Sequence, residues 1–162
     1  MGKYQVIIGR FEHVDLVNKL DTVPAKIDTG AFRSSIHATG IQLIEKNNTP
    51  YLRFTLLGHP VYTKHRTLET RSYNKRVVRS SNGHASERYE VILKIRLGYK
   101  IFRTPFTLTD RSSNVFPILI GRKTLNKRYL VDSDKAGINR EELKRALSNS
   151  ETKQEDVEGV NA

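Results

Sequence analysis

Several short runs of the chain alternate between apolar and polar residues. In "YLRFTLL", Leu52, Phe54 and Leu56 share one face, and Tyr51, Arg53 and Thr55 share the other. In "RYEVILKIRL", Tyr89, Val91, Leu93, Ile95 and Leu97 point one way, while Glu90, Lys94 and Arg96 point the other. This period of two marks strands with one buried face. Gly98-Tyr99 then turns the chain into "KIFRTPFTLTD". "YQVII" is a short apolar run, "VPAKID" ends at Asp28, and "VFPILIG" is almost continuously apolar, as a fully buried strand should be. Asn82-Gly83 is a hairpin-turn signal, because both residue types tolerate positive φ. It lies inside the apolar-poor "RVVRSSNGHASER", which predicts a long hairpin or loop projecting from the body. Upstream, "TKHRTLETRSYNKR" is basic and weakly patterned and reads as a mobile insertion. Helix is scarce. Gly121 to Lys127 suits a turn or two, and "INREELKRALS" offers Asn139 as an N-cap with Glu142 three residues on. Ile138, Leu143 and Leu147 make its apolar stripe. Many short strands joined by turns predict a mainly β chain, closed or sandwiched.

Composition narrows the setting. A chain of 162 residues, 37% hydrophobic, suits one domain with a modest core. The expected domain spans 1–147; residues 148–162 are polar and acidic and are expected to be disordered. No apolar run is long enough for a bilayer, so no membrane partner is expected. "MGKYQVIIGRFE" is too short and too charged for a secretion signal, and Val6 breaks the myristoylation pattern that Gly2 would begin. With no cysteine, disulfides, zinc–thiolate sites and thiol catalysis are excluded, and the cytoplasm is the expected compartment. The net charge is +11, but the final "SETKQEDVEGVNA" carries −3, which leaves +14 on residues 1–149. Seven basic and two acidic residues fall between Thr63 and Arg88. Such a body seeks a polyanion: nucleic acid, anionic lipid or an acidic peptide.

The candidate chemistry lies in "PAKIDTGAFRSSIHA". A catalytic carboxylate at a strand end needs a tight turn, a donor beside it, and backbone that substrate can approach. Asp28-Thr29-Gly30 meets these needs: Gly30 permits close approach, and the Thr29 hydroxyl can hydrogen-bond beneath a carboxylate. The tripeptide alone is weak evidence, because an Asp before Gly usually just makes a turn.

The surroundings carry more. "AKIDTGA" followed by "FPILIGRKTL", with a hairpin and two core strands between them, resembles the retropepsins, the single-domain aspartic peptidases, over about residues 22–132. "AKIDTGAFRSSIHA", "SNGHASERYEV", "LTDRSSNVFPILIGRKTL" and "YLVD" resemble more closely the bacterial RimB-like retropepsin family, often called ATP-dependent zinc proteases. The resemblance implies a closed retropepsin-like β-barrel with a flap-like hairpin and one or two short helices. It implies Asp28 as the catalytic residue, in an active-site loop with Thr29, Gly30 and Ala31. The Asp-Thr-Gly motif occurs once, so the resemblance further implies a two-fold homodimer with Asp28 from each subunit. Family members are associated with ATP-grasp glutamate ligases and implicated in trimming glutamate tails on a ribosomal protein. The implied partners are thus an acidic peptide or a glutamate-tailed ribosomal protein, and the ligase itself.

The zinc label finds no support in the residues. There is no His-Glu-x-x-His, Glu12-His13 lacks the second histidine four residues on, and the histidines at 13, 37, 59, 65 and 84 are scattered. No metal and no cofactor are expected. His37 is expected to pack or hydrogen-bond near the motif, and His84 to be exposed at the hairpin tip.

One pair of residues departs from the family. A basic residue usually follows Asp-Thr-Gly-Ala directly; here Phe32 stands there and Arg33 comes next. In viral retropepsins these places are often acidic, and the first acid pairs with the arginine of Ile-Gly-Arg. With Phe32 in that place, Arg122 either finds another acid, such as Asp110, or is free for substrate. A poly-glutamate substrate needs cations around the cleft, and Arg33, Arg79, Arg88 and Arg122 are the candidate substrate-binding residues. Lys26 is left unassigned. Two other readings stand beside this one: a basic nucleic-acid-binding β-barrel, and a non-catalytic regulatory partner of the ligase.

Overall fold

The computed structural model describes residues 6–160. Eleven strands and two helices follow in order: β1 (Val6–Ile8), β2 (Phe11–Leu16), β3 (Leu20–Ile27), β4 (Ser34–Lys46), β5 (Thr49–His59), β6 (Tyr62–Thr70), β7 (Asn74–Arg79), β8 (Ala85–Leu97), β9 (Lys100–Thr109), β10 (Ile118–Ile120), α1 (Arg122–Leu125), β11 (Tyr129–Val131) and α2 (Arg140–Val160). The fold is mainly β and its centre is a barrel. β10 pairs in parallel with β3 on one side and antiparallel with β4 on the other. This double pairing closes the order β10-β3-β2-β8-β9-β4 into a six-stranded ring. Beyond the ring, β4 continues into an antiparallel wing with β5 and β6. β1 and β11 form a separate parallel pair; Tyr4 and Gln5 of the expected "YQVII" strand lie outside the described residues.

The alternation read from the sequence places the core. Leu52, Phe54 and Leu56 of β5 are buried, as are Val91, Leu93, Ile95 and Leu97 of β8. β10 contributes Ile118 and Ile120, both fully buried. Each fully buried side chain of this size contributes about 1.5–3 kcal/mol. Gly98 takes the positive φ, +61°, that turns β8 into β9.

Four details differ from expectation. Residues 63–70, read as part of a mobile insertion, lie in β6, an antiparallel partner of β5 from His59↔Tyr62 to Leu52↔Thr70 with a register shift between Leu57 and His59. Its pattern is weak because it is the outer strand of the wing and most of its residues are exposed. The expected projecting hairpin is β7–β8, but of Asn82-Gly83 only Gly83 takes positive φ, at +83°. Helix α2 starts where expected, with the Asn139 side chain accepting the Glu141 N–H at 3.0 Å, but it runs on to Val160 through the acidic stretch expected to be disordered; residues 161 and 162 lie outside the described residues. Glu90, expected to face outward, is buried. Among the described residues no helix is long and apolar enough to cross a membrane.

Candidate active site

Asp28 leaves the end of β3 where β10 runs beside it. The parallel register pairs Ile118 with Ala25 and Ile120 with Ile27, and the next hydrogen bond joins the Asp28 N–H to the Ile120 carbonyl at 2.8 Å. The chain then folds back. Ala31 N–H donates to the Asp28 carbonyl at 3.2 Å, and Gly30 N–H to the Asp28 carboxylate at 2.9 Å. The returning loop is stapled to the start of α1: Arg122 and Lys123 N–H groups donate to the carbonyls of Ala31 and Phe32 at 2.8 and 2.9 Å. This requires backbone to touch backbone. A Cβ at Gly121 would lie 2.7 Å from the Arg33 carbonyl and 2.8 Å from the Phe32 oxygen, so only glycine fits there.

Beneath the staple lies a buried polar knot. Ser34 Oγ accepts from Gly121 N–H at 3.1 Å and meets Thr124 Oγ1 at 2.6 Å, which in turn meets Thr104 Oγ1 at 2.9 Å. All three hydroxyl residues are buried. Buried polar groups satisfied in this way hold one geometry, since any slip leaves a donor unpaired.

Above the loop opens a cleft of about 560 Å3. Asp28, Gly30, Ala31, Phe32 and Arg33 line one side, and Val77 to Ser81 with Arg88 the other. Arg111 completes the ring from the β9–β10 connection. Asp28 is the one acid lining a cleft that carries four arginines. Three of the arginines named from the sequence, Arg33, Arg79 and Arg88, thus stand around the same cleft as Asp28. Arg122 does not line it. Its guanidinium donates to the Thr29 carbonyl at 3.0 Å. It also lies 5.8 Å from the centroid of the Phe32 ring, which Arg33 approaches at 5.5 Å. Phe32 therefore offers its ring to both guanidiniums where an acid would have offered a carboxylate. Asp110 lies elsewhere, accepting the Ser112 N–H and standing 3.7 Å from His37 Nδ1.

The family described as RimB-like, retropepsin-like aspartic endopeptidase RimB, matches residues 7–142. The chain belongs to this family. Among curated relatives, a probable alpha-L-glutamate ligase of Shewanella pealeana is 33% identical over 113 residues, 68% of this chain and 24% of that protein. One of Desulfotalea psychrophila is 27% identical over 143 residues, 86% of this chain and 30% of that protein. The chain thus spans about a quarter to a third of the length of these relatives. The crystal structure of a Legionella pneumophila protein described as of unknown function superposes with a TM-score of 0.66 at 34% identity, covering 82% of this chain and 97% of that one.

Within this RimB-like site the sequence missed two residues. Glu90, only 5% exposed, accepts from Arg33 Nη1 at 2.8 Å and from Arg76 Nε at 3.2 Å. It ties the loop after Asp28 to β7 of the hairpin. The alternation of β8 hid it: Glu90 and Val91 are both buried in succession, because the loop covers the strand's outer face at this point. Arg111 is the second. Its Nε donates to the Phe116 carbonyl at 2.9 Å and its Nη1 to Ser35 Oγ at 3.2 Å. Burial brings its guanidinium down to about 10; the Arg88 charge also lowers it and the Asp28 charge raises it. It stays protonated at neutral pH, within the electrostatic reach of both groups. Its only signal in the sequence was its place in "LTDRSSNVFPILIG", a block quoted for resemblance alone.

Two of the histidines pack in the interior. His37 and His59 are buried and meet edge to face at 5.2 Å, while His13, His65 and His84 are exposed. Among the described residues no group of three or more His, Asp or Glu side chains converges that could hold a metal ion.

Proposed function

We propose that the chain is an aspartic endopeptidase, working as a two-fold homodimer with Asp28 from each subunit, that hydrolyses peptide bonds in glutamate-rich tails. The observation that carries this reading is the lone carboxylate of Asp28 on the wall of a cleft with four arginines. Two carboxylates brought together on a dimer axis cannot both ionise. The ionised one activates water, and the protonated one donates to the scissile carbonyl. The exposed Thr29 and Gly30 are available to a second subunit. The arginines favour an acidic substrate by steering it and by offering two-pronged contacts to carboxylates. The relatives named as probable alpha-L-glutamate ligases, in which the matched segment is a quarter to a third of the chain, support a product of such a ligase as substrate, a ribosomal protein with a glutamate tail among them. A ligase partner and action in the cytoplasm follow from the same reading.

Incubation of the protein with a glutamate-extended peptide, read by mass spectrometry, tests this. Cleavage by the wild type and its loss in Asp28→Asn, with the dimer intact by sedimentation, is the expected result. Unchanged cleavage by Asp28→Asn, or a cleaving monomer, would sink the mechanism. Salt-dependent RNA binding that survives Asp28→Asn, without cleavage, would put the nucleic-acid reading in its place.

A further inference from the structure

The cleft's arginines differ in how they are held. Arg79 is exposed on the hairpin, Arg88 makes one side-chain hydrogen bond among the described residues, Nε to Ser86 Oγ at 3.2 Å, and Arg33 is taken up by Glu90. Arg111 is held at its backbone and at two nitrogens of its guanidinium. Its N–H donates to His37 Nδ1 at 2.9 Å, and its carbonyl accepts from His59 Nε2 at 2.8 Å. Its Nε and Nη1 are held by Phe116 and Ser35. The tautomers are set by these contacts. His37 Nδ1 accepts, and His59 Nδ1 accepts the Val61 N–H at 3.0 Å, so the His59 proton sits on Nε2, where it donates. Both rings are neutral, in keeping with burial pushing both below the ordinary histidine range.

One part of the guanidinium is unused. Nη2 makes no hydrogen bond to a described residue, and among the described residues no buried side-chain nitrogen or oxygen lacks a partner. Nη2 therefore meets the open cleft, which Arg111 lines together with Asp28. A long side chain normally loses its freedom when it grips a ligand; this one has lost it already, so an anion bound here gains the contact without that cost.

We propose that Arg111 receives a glutamyl side-chain carboxylate of the substrate beside Asp28, as a specificity-determining residue, with His37 and His59 as the positioning residues that hold its backbone. The inference deepens the peptidase reading and rests on it. It assigns one substrate position, the one whose side chain reaches Arg111, as the place where glutamate is told from glutamine.

The test uses full-length Asp28→Asn, which binds without cutting. Calorimetric titration compares an all-glutamate peptide with peptides carrying glutamine at one position at a time. One position is expected to lose roughly tenfold or more in affinity, the scale of a charge-assisted contact. Arg111→Lys in the same background should reduce the discrimination at that position alone and leave the other positions as they were. His59→Ala should do the same and His59→Gln, which restores a donor, should not; a merely structural role would weaken all peptides together. An unchanged position profile in Arg111→Lys overturns the inference. Should that variant fail to fold, the Nε–Hε resonance of Arg111 in Asp28→Asn decides: a shift on adding the glutamate peptide but not the glutamine peptide supports the inference, and no shift overturns it. The two readings fail separately. Cleavage that persists in Asp28→Asn removes the peptidase, whereas an unmoved profile with cleavage abolished removes only the role of Arg111.

Discussion

The two walls of the cleft are built by opposite means. The wall that carries Asp28 is held by backbone. Four main-chain hydrogen bonds tie residues 28 to 32 to Ile120, Asp28 itself, Arg122 and Lys123, and Gly121 lets two stretches of chain touch. Buried hydroxyls lock the contact from below. The facing wall is the end of the β7–β8 hairpin, which is exposed, basic and attached to the loop through Glu90. One wall can move only by breaking the barrel; the other can shift by loosening an ion pair. A group that must be placed to sub-ångström precision suits the first wall, and adaptable contacts suit the second.

The sharpest way to break this contrast is Gly121→Ala. The added carbon meets backbone rather than a movable side chain. A cost of about 3 kcal/mol is expected, at the upper end of overpacking, together with a roughly hundredfold loss of turnover from the displaced loop. Thermal unfolding and peptide cleavage measure both. A variant of full activity would mean that the staple is not what positions Asp28.

Glu90→Ala attacks the junction of the walls. It leaves the guanidiniums of Arg33 and Arg76 without their acid. Breaking a fully buried pair costs about 3–5 kcal/mol, but Arg33 is 26% and Arg76 40% exposed, so about 2 kcal/mol is expected after solvent screening. Hydrogen exchange should rise in β7 and stay unchanged in β3 and β10. Equal rises in both would mean that the walls are not independent.

Acid should act on the barrel side through His37 and His59. Burial lowers both from the ordinary 6.5, so the unfolded chain binds more protons than the folded one as pH drops. Their contribution is complete above about pH 6.5 and is lost as pH falls through the lowered folded values. Melting temperature should therefore fall with pH below about 6.5, and His59→Gln should flatten that slope; an identical slope would place the sensitivity elsewhere.

The smallest change is expected from Arg79→Ala on the hairpin. Stability should stay within about 0.5 kcal/mol. Affinity for an acidic peptide should fall about threefold at low salt, with the difference fading at high salt as exposed charges are screened. A salt-independent loss would mean that Arg79 packs rather than steers.

Much of the barrel could be read from the chain. The alternation of β5 and β8, the apolar run that became β10, and the Asp-Thr-Gly and Ile-Gly-Arg blocks are local signals, and each landed on the element it implied. The misses share a physical cause. β6 is exposed along most of its length, so no period of two was imposed on it. Glu90 follows the alternation of its strand, but the face it points to is covered by a loop 57 residues away in sequence. Arg122 was expected to need another acid or be free; its site is made by the Thr29 carbonyl and the Phe32 ring, neither of which announces itself as a partner.

By itself, then, the sequence determined the alternating strands β5 and β8, the apolar β10, the position of Asp28 at a strand end, the glycines its loop needs, and the excess of positive charge. Those depend on residue type and on spacings of two or three. Only the tertiary structure decided which cations surround Asp28 and how firmly each is held. Arg111 is placed by histidines 52 and 74 residues away, and the closing of the barrel is what brings those distances down to a hydrogen bond.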